Sequence, residues 1–299
     1  MSWPRRIPIS NWTPKLKPPV PRVVTLDAYN TLYSTTLPVM EQYSLVGSKY
    51  GVETDPQQLT ENFVKVFGEL KLQHPNYGKT TGVTASEWWC LLIQGVFQPL
   101  NPPREMLDEI LARFEGSEAY EVPPDVKHFL QEVRSQYPDV ILGIISNTDP
   151  IMYTLIKNMG LYEYFQGHIY LSYELEVKKP GKEIFENALE DIVSKNPKLK
   201  NINNLASECW HIGDEEANDM LAASNAGWNG ILLDRTNKYG YFSESLSRIR
   251  RTEQDLSTDR IDNNSTETYR RSILQTDIVQ TSQRTFAASN FDSLRKMLL

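Results

Sequence analysis

Polar side chains follow predicted strands, or precede a proline, at several places in this 299-residue sequence. They are Asp27, Ser146, Asn147, Lys179 and Asp214. Because the carboxyl ends of parallel strands meet at the edge of a sheet where ligands bind, we expect these side chains to lie together. A buried carboxylate is costly unless it is paired. Asp27, which directly follows the apolar run at residues 23–26, is therefore either a nucleophile or a strand-end cap.

Each of these positions has an ordinary explanation when it is taken alone. Asp27 can cap the turn after its strand, "ISN" is a common turn sequence, and "KKPGK" is typical of a solvated run of charge. The acids of "GDEEAND" can stabilise the start of a helix through its macrodipole. The order of the set favours chemistry instead, because the acid, the hydroxyl, the lysine and the second pair of acids each occupy their own strand end or loop.

The chain from residue 122 onward shows strands alternating with helices. The apolar runs "VILGIISN", "GHIYLS", "ECWHIGDE" and "NGILLD" predict buried strands, and helical patterns separate them. This alternation is typical of α/β proteins, so we predict a doubly wound parallel sheet. The C-terminal "RTFAASNFDSLRKMLL" is predicted to add a short edge strand and a final helix.

A helical insert occupies residues 34–121, directly after the first predicted strand. Thr84 and Glu87 form a capping box ahead of the apolar stretch "WWCLLIQGVF". The spacing of apolar residues in this insert is helical. We therefore expect the tryptophans Trp88 and Trp89 to pack in the core of the insert rather than to form a binding site.

These patterns divide the chain into parts. Residues 22–33 and 122–299 form the predicted α/β core, and residues 34–121 the helical domain. Residues 236–282, which we call the polar segment, show little apolar periodicity and are predicted to be partly ordered. Residues 1–21 contain basic and no acidic residues, which is typical of mitochondrial presequences, but their prolines oppose an amphipathic helix. A targeting segment and a surface arm both remain open.

The composition limits the classes of function. A net charge of -7 argues against a surface for nucleic acid or for anionic membranes. We find no apolar run long enough to span a bilayer and no secretory signal, so we expect an intracellular protein, in the cytoplasm or in mitochondria. Two cysteines far apart in the sequence favour free thiols in a reducing compartment. The four histidines show no zinc spacing.

As a set, the motifs resemble the haloacid dehalogenase superfamily of hydrolases, over roughly residues 22–235 and the C-terminal strand and helix. Asp27 in "DAYNT" matches the nucleophile of that superfamily, Ser146 its second motif and Lys179 its third. Asp214 and Asp219 in "GDEEAND" match the acidic pair of the fourth. The helical insert corresponds to a C1 cap. Shorter stretches such as "HPNYG" and "SYELEVKKPGKEIF" resemble the rhythmically-expressed-gene-2-like branch.

The resemblance implies a phosphatase that forms an aspartyl-phosphate on Asp27 and acts on a small phosphorylated metabolite. Asp27, Asp214 and the backbone carbonyl of Tyr29 would hold Mg²⁺, which prefers oxygen ligands. Lys179 would neutralise charge on the phosphate, and Ser146 would donate a hydrogen bond to it. Asn147 and Tyr29 would contact the substrate. Asp219 would orient Lys179 or a metal-bound water, although it could instead lie on a helix surface.

Tyr29 departs from the superfamily pattern. Phosphatases of this kind usually carry a second Asp two residues after the nucleophile, where it acts as a general acid and base. A phenol is a poor replacement at neutral pH, so three hypotheses stay open. The first is a weak or selective phosphatase. The second is an enzyme similar to the 2-haloacid dehalogenases, which have tyrosine here and need no metal. The third is a non-catalytic binding protein that retains the fold.

Overall fold

The computed structural model of the protein describes residues 3–12, 18, 21–246 and 248–299. Its main sheet has eight strands in the order β1-β9-β10-β8-β7-β2-β5-β6. They are β1 (Arg5–Ile7), β2 (Val23–Leu26), β5 (Ile141–Ser146), β6 (Ile169–Leu171), β7 (Cys209–Gly213), β8 (Asn229–Leu233), β9 (Ile278–Gln280) and β10 (Thr285–Ala288). A separate two-stranded sheet pairs β3 (Ser34–Thr35) with β4 (Tyr120–Glu121).

Helices account for most of the remaining regular structure. They are α1 (Val39–Lys49), α2 (Pro56–Gln73), α3 (Ala85–Val96), α4 (Arg104–Glu115), α5 (Pro124–Gln136), α6 (Ile151–Asn158), α7 (Tyr162–Phe165), α8 (Ser172–Leu175), α9 (Glu183–Lys195), α10 (Ala222–Asn225), α11 (Glu253–Ile261), α12 (Ser265–Ser272) and α13 (Phe291–Leu298). A π-helical turn, Glu216–Leu221, leads into α10. None of the helices in the described ranges combines the length and the apolar character needed to cross a bilayer.

The strands from β10 to β6 run parallel to one another, and helices cover both of their faces. Val24 and Leu26 of β2 face the core that contains residues of α5, α6 and α13. Val23 of the same strand faces the core that contains residues of α9 and α10. Burial of alternate strand residues on both faces explains why these strands are continuous apolar runs. The predicted doubly wound parallel sheet is therefore confirmed.

Helices α1 to α4 enclose a hydrophobic core that is separate from the cores on the sheet. Helix α3 begins at the predicted capping box, in which the Thr84 hydroxyl accepts a hydrogen bond from the Glu87 backbone N–H and the Glu87 carboxylate accepts one from the Thr84 backbone N–H. Trp88 is buried in this core as expected. Trp89 is only partly buried, and its indole N–H donates to Asp149 Oδ2 at 2.8 Å.

The N-terminal arm belongs to the sheet in the part that the structure describes. Strand β1 pairs antiparallel with β9, and the Trp12 indole N–H donates to the carbonyl of Met297 at 3.3 Å. Ile9 packs against the core. The structure thus favours a docked arm in residues 3–12, and its use as a mitochondrial targeting signal stays a prediction.

The predicted position of the C-terminal strand at the sheet edge is wrong. Strand β10 lies inside the sheet, between β8 and β9, because β9 and β1 add two further strands beyond it. Strand β9 comes from the polar segment and β1 from the N-terminal arm. Each is three residues long, too short for a periodic pattern, and each is held by pairing with residues distant in sequence.

The polar segment also contains α11 and α12, so it is more ordered than the sequence suggested. Ile261, the last residue of α11, is buried in the core formed by α1 to α4. The Thr35 hydroxyl donates to the carbonyl of Asn263 at 3.0 Å. These contacts connect the polar segment to the core of the helical domain and to strand β3 of the two-stranded sheet.

Candidate active site

Lys179 forms the centre of the charged network at the carboxyl edge of the sheet. Its ammonium group donates to Asp27 Oδ1 at 2.8 Å and to Asp219 Oδ1 at 2.6 Å. It also donates to the carbonyl of Ile145 at 3.0 Å. A lysine has three protons to donate, so each has an acceptor here. The structure thus brings together the first, third and fourth predicted motifs, from β2, the loop before Pro180 and the turn after β7.

The charges in this network alter one another's pKa. Burial raises the pKa of Asp27 to about 6, even though the nearby Lys179 lowers it. Burial would also raise the pKa of Asp219, but Lys179 and a hydrogen bond from His211 outweigh that effect and hold it below its usual range. For Lys179, burial favours the neutral amine, yet the two carboxylates raise its pKa. At neutral pH the network holds a protonated lysine between carboxylates.

Asp219 does not lie on a helix surface, because it is only 1% exposed. Its Oδ2 accepts the backbone N–H of Glu215 at 2.8 Å, which fixes the turn after β7. Its carboxylate packs directly over Gly213, where a Cβ atom would lie 2.1 Å from Asp219 Cγ. Glycine is therefore required at residue 213 to let the acid approach Lys179. Of the roles predicted for Asp219, this geometry supports the orientation of Lys179.

His211 on β7 also supports Asp219, a contact that no local sequence pattern indicates. Its Nε2 lies 3.1 Å from Asp219 Oδ1, and its Nδ1 lies 2.8 Å from the hydroxyl of Thr25. Burial lowers the pKa of His211 to about 4, so the ring is neutral at pH 7. We assign the proton to Nε2, which donates to Asp219, while Nδ1 accepts from Thr25. A polar residue inside a buried strand requires such partners.

Asp214, at the end of β7, is paired with Lys238 of the polar segment. Lys238 Nζ lies 3.1 Å from Asp214 Oδ2 and 3.8 Å from a carboxylate oxygen of Asp259. Burial raises the pKa of Asp214 to about 7, although Lys238 lowers it. Sequence reasoning missed Lys238 because nothing in its local pattern indicates that its partner lies 24 residues away.

The next two acids after Asp214 are also paired with bases of the polar segment. Arg260 donates to Glu215 Oε1 at 2.6 Å, and Arg248 donates to Glu216 Oε2. The pKa of Glu215 is lowered because Arg260 and a hydrogen bond from Asn218 outweigh the effect of burial. The polar segment therefore forms one side of the candidate site and neutralises three consecutive acids.

The Tyr29 side chain is engaged by this same segment. Its hydroxyl donates to the backbone carbonyl of Arg260. Burial raises the pKa of Tyr29 well above that of a free phenol. The next residue, Asn30, has a φ of 58° and accepts a hydrogen bond from Asn263 at 2.7 Å. The phenol of Tyr29 is therefore tied to α11 rather than free to exchange a proton.

Ser146 and Asn147 follow the neighbouring strand, β5. Ser146 is nearly buried and lies at the wall of the cavity that also contains Asp27. The Asn147 side-chain amide donates to the Lys179 carbonyl at 2.8 Å and accepts the Lys179 backbone N–H at 2.9 Å. The backbone carbonyl of Asn147 accepts a hydrogen bond from the Tyr77 hydroxyl at 2.9 Å. Asn147 thus fixes the lysine loop, and its contact with substrate stays a prediction.

A cavity of about 400 Å³ lies between this sheet edge and helices α1 to α4. Asp27, Asp214 and Lys179 lie at its polar wall, while aromatic and aliphatic side chains form much of the rest. Pockets for small ligands commonly combine an apolar lining with a few convergent polar groups. The candidate nucleophile therefore faces a space large enough for a small molecule.

The residues present fit a magnesium ion by their chemistry. Among the described residues, no group of three or more His, Cys, Asp or Glu side chains is arranged to hold a metal. Mg²⁺ does not need such a group, because it is commonly bound by one or two carboxylates and keeps several waters. Asp27 and Asp214 are two carboxylates at one cavity wall, and burial raises the pKa of each. A cation beside them would relieve that cost.

Comparison with known proteins identifies the family. A sequence model of haloacid dehalogenase-like hydrolases matches residues 21–227. The chain belongs to this family. The match covers the first predicted strand, the helical insert and the strands that carry the remaining motifs.

Relatives within the family extend over most of the chain. An uncharacterised protein of Saccharomyces cerevisiae is 51% identical over 300 residues, which cover 99% of each chain. The rhythmically expressed gene 2 protein of Drosophila melanogaster is 30% identical over 241 residues, which cover 76% of this chain and 89% of the relative. The predicted resemblance to that branch is confirmed.

A solved structure shows that the likeness extends to the fold. The L-2-haloacid dehalogenase from Xanthobacter autotrophicus, with chloropropionic acid covalently bound, aligns with a TM-score of 0.58 at 14% identity. The alignment covers 93% of this chain and 98% of the dehalogenase. At this identity, the similarity concerns the fold alone.

Proposed function

We propose that the protein is a Mg²⁺-dependent phosphatase that acts on a small phosphorylated substrate through an aspartyl-phosphate on Asp27. The observation that supports this proposal is the contact of Lys179 Nζ with Asp27 Oδ1 at 2.8 Å, at the same cavity wall as Asp214. In the proposal, residues 22–33 and 122–299 form the catalytic core. Residues 34–121 form a cap that contacts the leaving group.

Each residue has a defined task in this proposal. The Asp27 carboxylate attacks phosphorus, which converts one difficult displacement into two easier steps. Lys179 balances negative charge on the phosphate oxygens, and the Ser146 hydroxyl donates a hydrogen bond to one of them. Asp219 keeps Lys179 protonated and in position. Water then releases phosphate from Asp27.

The candidate Mg²⁺ ligands are the carboxylates of Asp27 and Asp214 and the backbone carbonyl of Tyr29. The ion would supply positive charge at the phosphate oxygens, where charge develops during transfer. Lys238, which is bound to Asp214 in the structure, would have to move away from that carboxylate oxygen or share it. The phenol of Tyr29 has no role as acid or base in this proposal.

The test uses purified protein with p-nitrophenyl phosphate and acetyl phosphate, with and without Mg²⁺. We expect Mg²⁺-dependent release of phosphate that Asp27→Asn abolishes. Asp139→Asn is the matched control, because Asp139 is exposed in the loop before β5, and it should leave the rate unchanged. Formation of a beryllium fluoride adduct on Asp27, followed by ¹⁹F NMR, would report the nucleophile without turnover.

Two results would overturn this proposal. Metal-independent release of chloride from 2-chloropropionate would instead support the dehalogenase hypothesis. Absence of phosphatase activity, of dehalogenase activity and of the fluoride adduct would support a non-catalytic binding protein.

A further inference from the structure

Aromatic side chains form two networks of ring contacts around the cavity. The first lies near Asp27 and consists of Tyr29, Tyr33, Tyr43, Phe114 and Tyr120, with ring centroids 5.2 to 6.3 Å apart. All five line the cavity. Such spacings are those of favourable offset and edge-to-face pairs. The faces and edges of these rings can therefore contact an aromatic ring of a ligand in the same way.

The second network belongs to α2, α3 and the turn between them. It consists of Phe63, Phe67, Tyr77, Trp88 and Trp89, with ring centroids 5.1 to 5.8 Å apart. These residues line the same cavity. The rings pack against one another but leave a space of about 400 Å³. Since a cavity of about 150 Å³ suffices for benzene, this space has room for one or two rings.

Two basic residues of the cavity lining that lie outside the Lys178–Lys179 loop are already paired with carboxylates. Arg260 is bound to Glu215 at 2.6 Å, and Lys71 lies 3.5 Å from a carboxylate oxygen of Glu253. The remaining lysines of the described lining, Lys178 and Lys179, belong to the loop beside Asp27. Lys179 contacts the candidate nucleophile Asp27, so the phosphoryl group is assigned to this end of the cavity. The arrangement fits one phosphate group attached to an uncharged, apolar remainder.

Among the described residues of the lining, no carboxylic acid is free to protonate a leaving group, and the imidazole of the lining histidine, His74, is hydrogen-bonded through Nδ1 with the Thr81 hydroxyl at 2.8 Å. Each lining carboxylate is paired with a base: Asp27 and Asp219 with Lys179, Asp214 with Lys238, Glu215 with Arg260, and Glu253 with Lys71. The Tyr29 hydroxyl donates to a backbone carbonyl. A leaving group that must receive a proton as it departs would be a poor substrate for this site.

Resting on the proposed function, we propose that the substrates are aryl phosphate monoesters: one phosphoryl group on the phenolic oxygen of an uncharged compound of one or two rings. A phenol ionises with a pKa of about 10, whereas water, which resembles an aliphatic alcohol, does so at about 15.7. A phenolate can therefore leave without a proton from the enzyme. The aromatic networks bind its ring.

The proposed reaction consists of two displacements at phosphorus. An Asp27 carboxylate oxygen forms a bond to phosphorus while the bond from phosphorus to the aryl oxygen breaks, and its electron pair leaves with the phenolate. The phenolate takes a proton from solvent. Water then attacks phosphorus, the bond to the Asp27 oxygen breaks, and inorganic phosphate and the free carboxylate are produced.

The test separates leaving-group chemistry from ring recognition. Hydrolysis of 4-nitrophenyl, phenyl and benzyl phosphate is measured with Mg²⁺, because benzyl phosphate keeps the ring but has an alkoxide leaving group. We expect kcat/KM to fall at least about 100-fold from phenyl to benzyl phosphate, the lower end of what general acid catalysis supplies.

Binding of phenylphosphonate, cyclohexylphosphonate and methylphosphonate is measured by calorimetry. We expect phenylphosphonate to bind most tightly, by about fivefold or more, as one aromatic contact supplies about 1 kcal/mol.

Variants locate the effect in the cavity. Trp89→Leu and, independently, Phe114→Leu should weaken binding of phenylphosphonate and leave that of methylphosphonate unchanged. Trp3→Leu is the matched control, because Trp3 is exposed beside β1, outside the cavity lining, and this change should alter neither. Equal rates for phenyl and benzyl phosphate would overturn the leaving-group argument. Equal binding of the phenyl and cyclohexyl compounds would overturn aromatic recognition.

The same measurements distinguish failure of the proposed phosphatase activity from failure of the aryl substrate class. If none of the three esters and no acetyl phosphate were hydrolysed, the proposed phosphatase activity would be refuted. The phosphonate binding experiment would then decide by itself whether the cavity recognises an aromatic ring. Hydrolysis of all three esters at similar rates would support the phosphatase and overturn the aryl substrate class.

Discussion

Replacing Lys179 with Met removes the ammonium group between the carboxylates and keeps an apolar stem of similar length. The Lys179 side chain is 2% exposed, and the facing side chains of Asp27 and Asp219 are 14% and 2% exposed. Both carboxylates would lose their closest cation. Loss of one partner from a buried ion pair leaves an uncompensated charge, which is far more costly than loss of a surface pair.

The cost follows from the contacts. A hydrogen bond to a charged group contributes about 1.5–3 kcal/mol, and Lys179 makes one to each carboxylate. Burial of the methionine stem offsets part of that loss, and the cavity lets water reach Asp27. We therefore expect Lys179→Met to lower the free energy of unfolding at pH 8 by about 3–5 kcal/mol, the range measured when buried pairs are broken.

The cost should decrease as the pH falls. The pKa of Asp27 is already raised to about 6, and it should rise further without Lys179. The pKa of Asp219, now held below its usual range by Lys179, should rise above it. The folded variant would then bind protons at pH values where the unfolded chain is ionised. Since this favours the folded state as protons are added, the cost at pH 5 should be at least about 1 kcal/mol smaller than at pH 8.

Urea unfolding followed by tryptophan fluorescence measures these differences. Lys178→Met is the matched control: Lys178 is the exposed neighbour in the same loop, and its replacement should change stability by less than about 0.5 kcal/mol at either pH. A cost below about 1 kcal/mol for Lys179→Met would refute the reasoning. A cost that grows toward low pH would do the same, because it would mean that the carboxylates do not take up protons when the lysine is removed.

Three further substitutions test other parts of the site. Tyr29→Phe should lower stability by about 1 kcal/mol and leave turnover within a few-fold of the wild type; a loss of 100-fold or more would identify the phenol as a general acid. Lys238→Met removes the ammonium group that would compete with Mg²⁺ for Asp214. The Mg²⁺ concentration that gives half of the Mg²⁺-induced thermal shift should then fall by about fivefold, if the ion pair contributes about 1 kcal/mol. An unchanged midpoint would contradict this competition. Gly213→Ala should cost at least about 2 kcal/mol, because its methyl would lie 2.1 Å from Asp219 Cγ. Gly68→Ala, in an open position of α2, should instead stabilise by up to about 1 kcal/mol, and equal effects of the two changes would contradict the packing argument.

The sequence predicted the motif residues at the carboxyl edge of the sheet because their positions depend on local patterns. Asp27 directly follows a buried strand, and Asp214 follows another. Once parallel strands are inferred, their carboxyl ends must share one edge. The capping box before α3 and the helical spacing of the insert are also local signals, and the structure contains both.

The contacts of the polar segment were not predictable in this way. Lys238 and Arg260 lie in a stretch without apolar periodicity, and the acids that they neutralise are 24 and 45 residues away. Strands β1 and β9, which displace β10 from the edge, are likewise short and paired over a long distance in sequence. Trp89 packs against the core of the insert as predicted, but it also lines the cavity, because helical spacing shows that a residue faces inward and not whether a cavity lies there.

The sequence by itself determined the α/β class, the family and the order of the motif residues, since these depend on residue type and on spacing along the chain. Only the tertiary structure decided that Tyr29 is bound by α11, that His211 supports Asp219 and that bases of the polar segment pair with Asp214 and Glu215. The physical reason is that a buried charge requires a partner, but the sequence does not specify which distant residue supplies it. That choice is made when separate elements pack against each other.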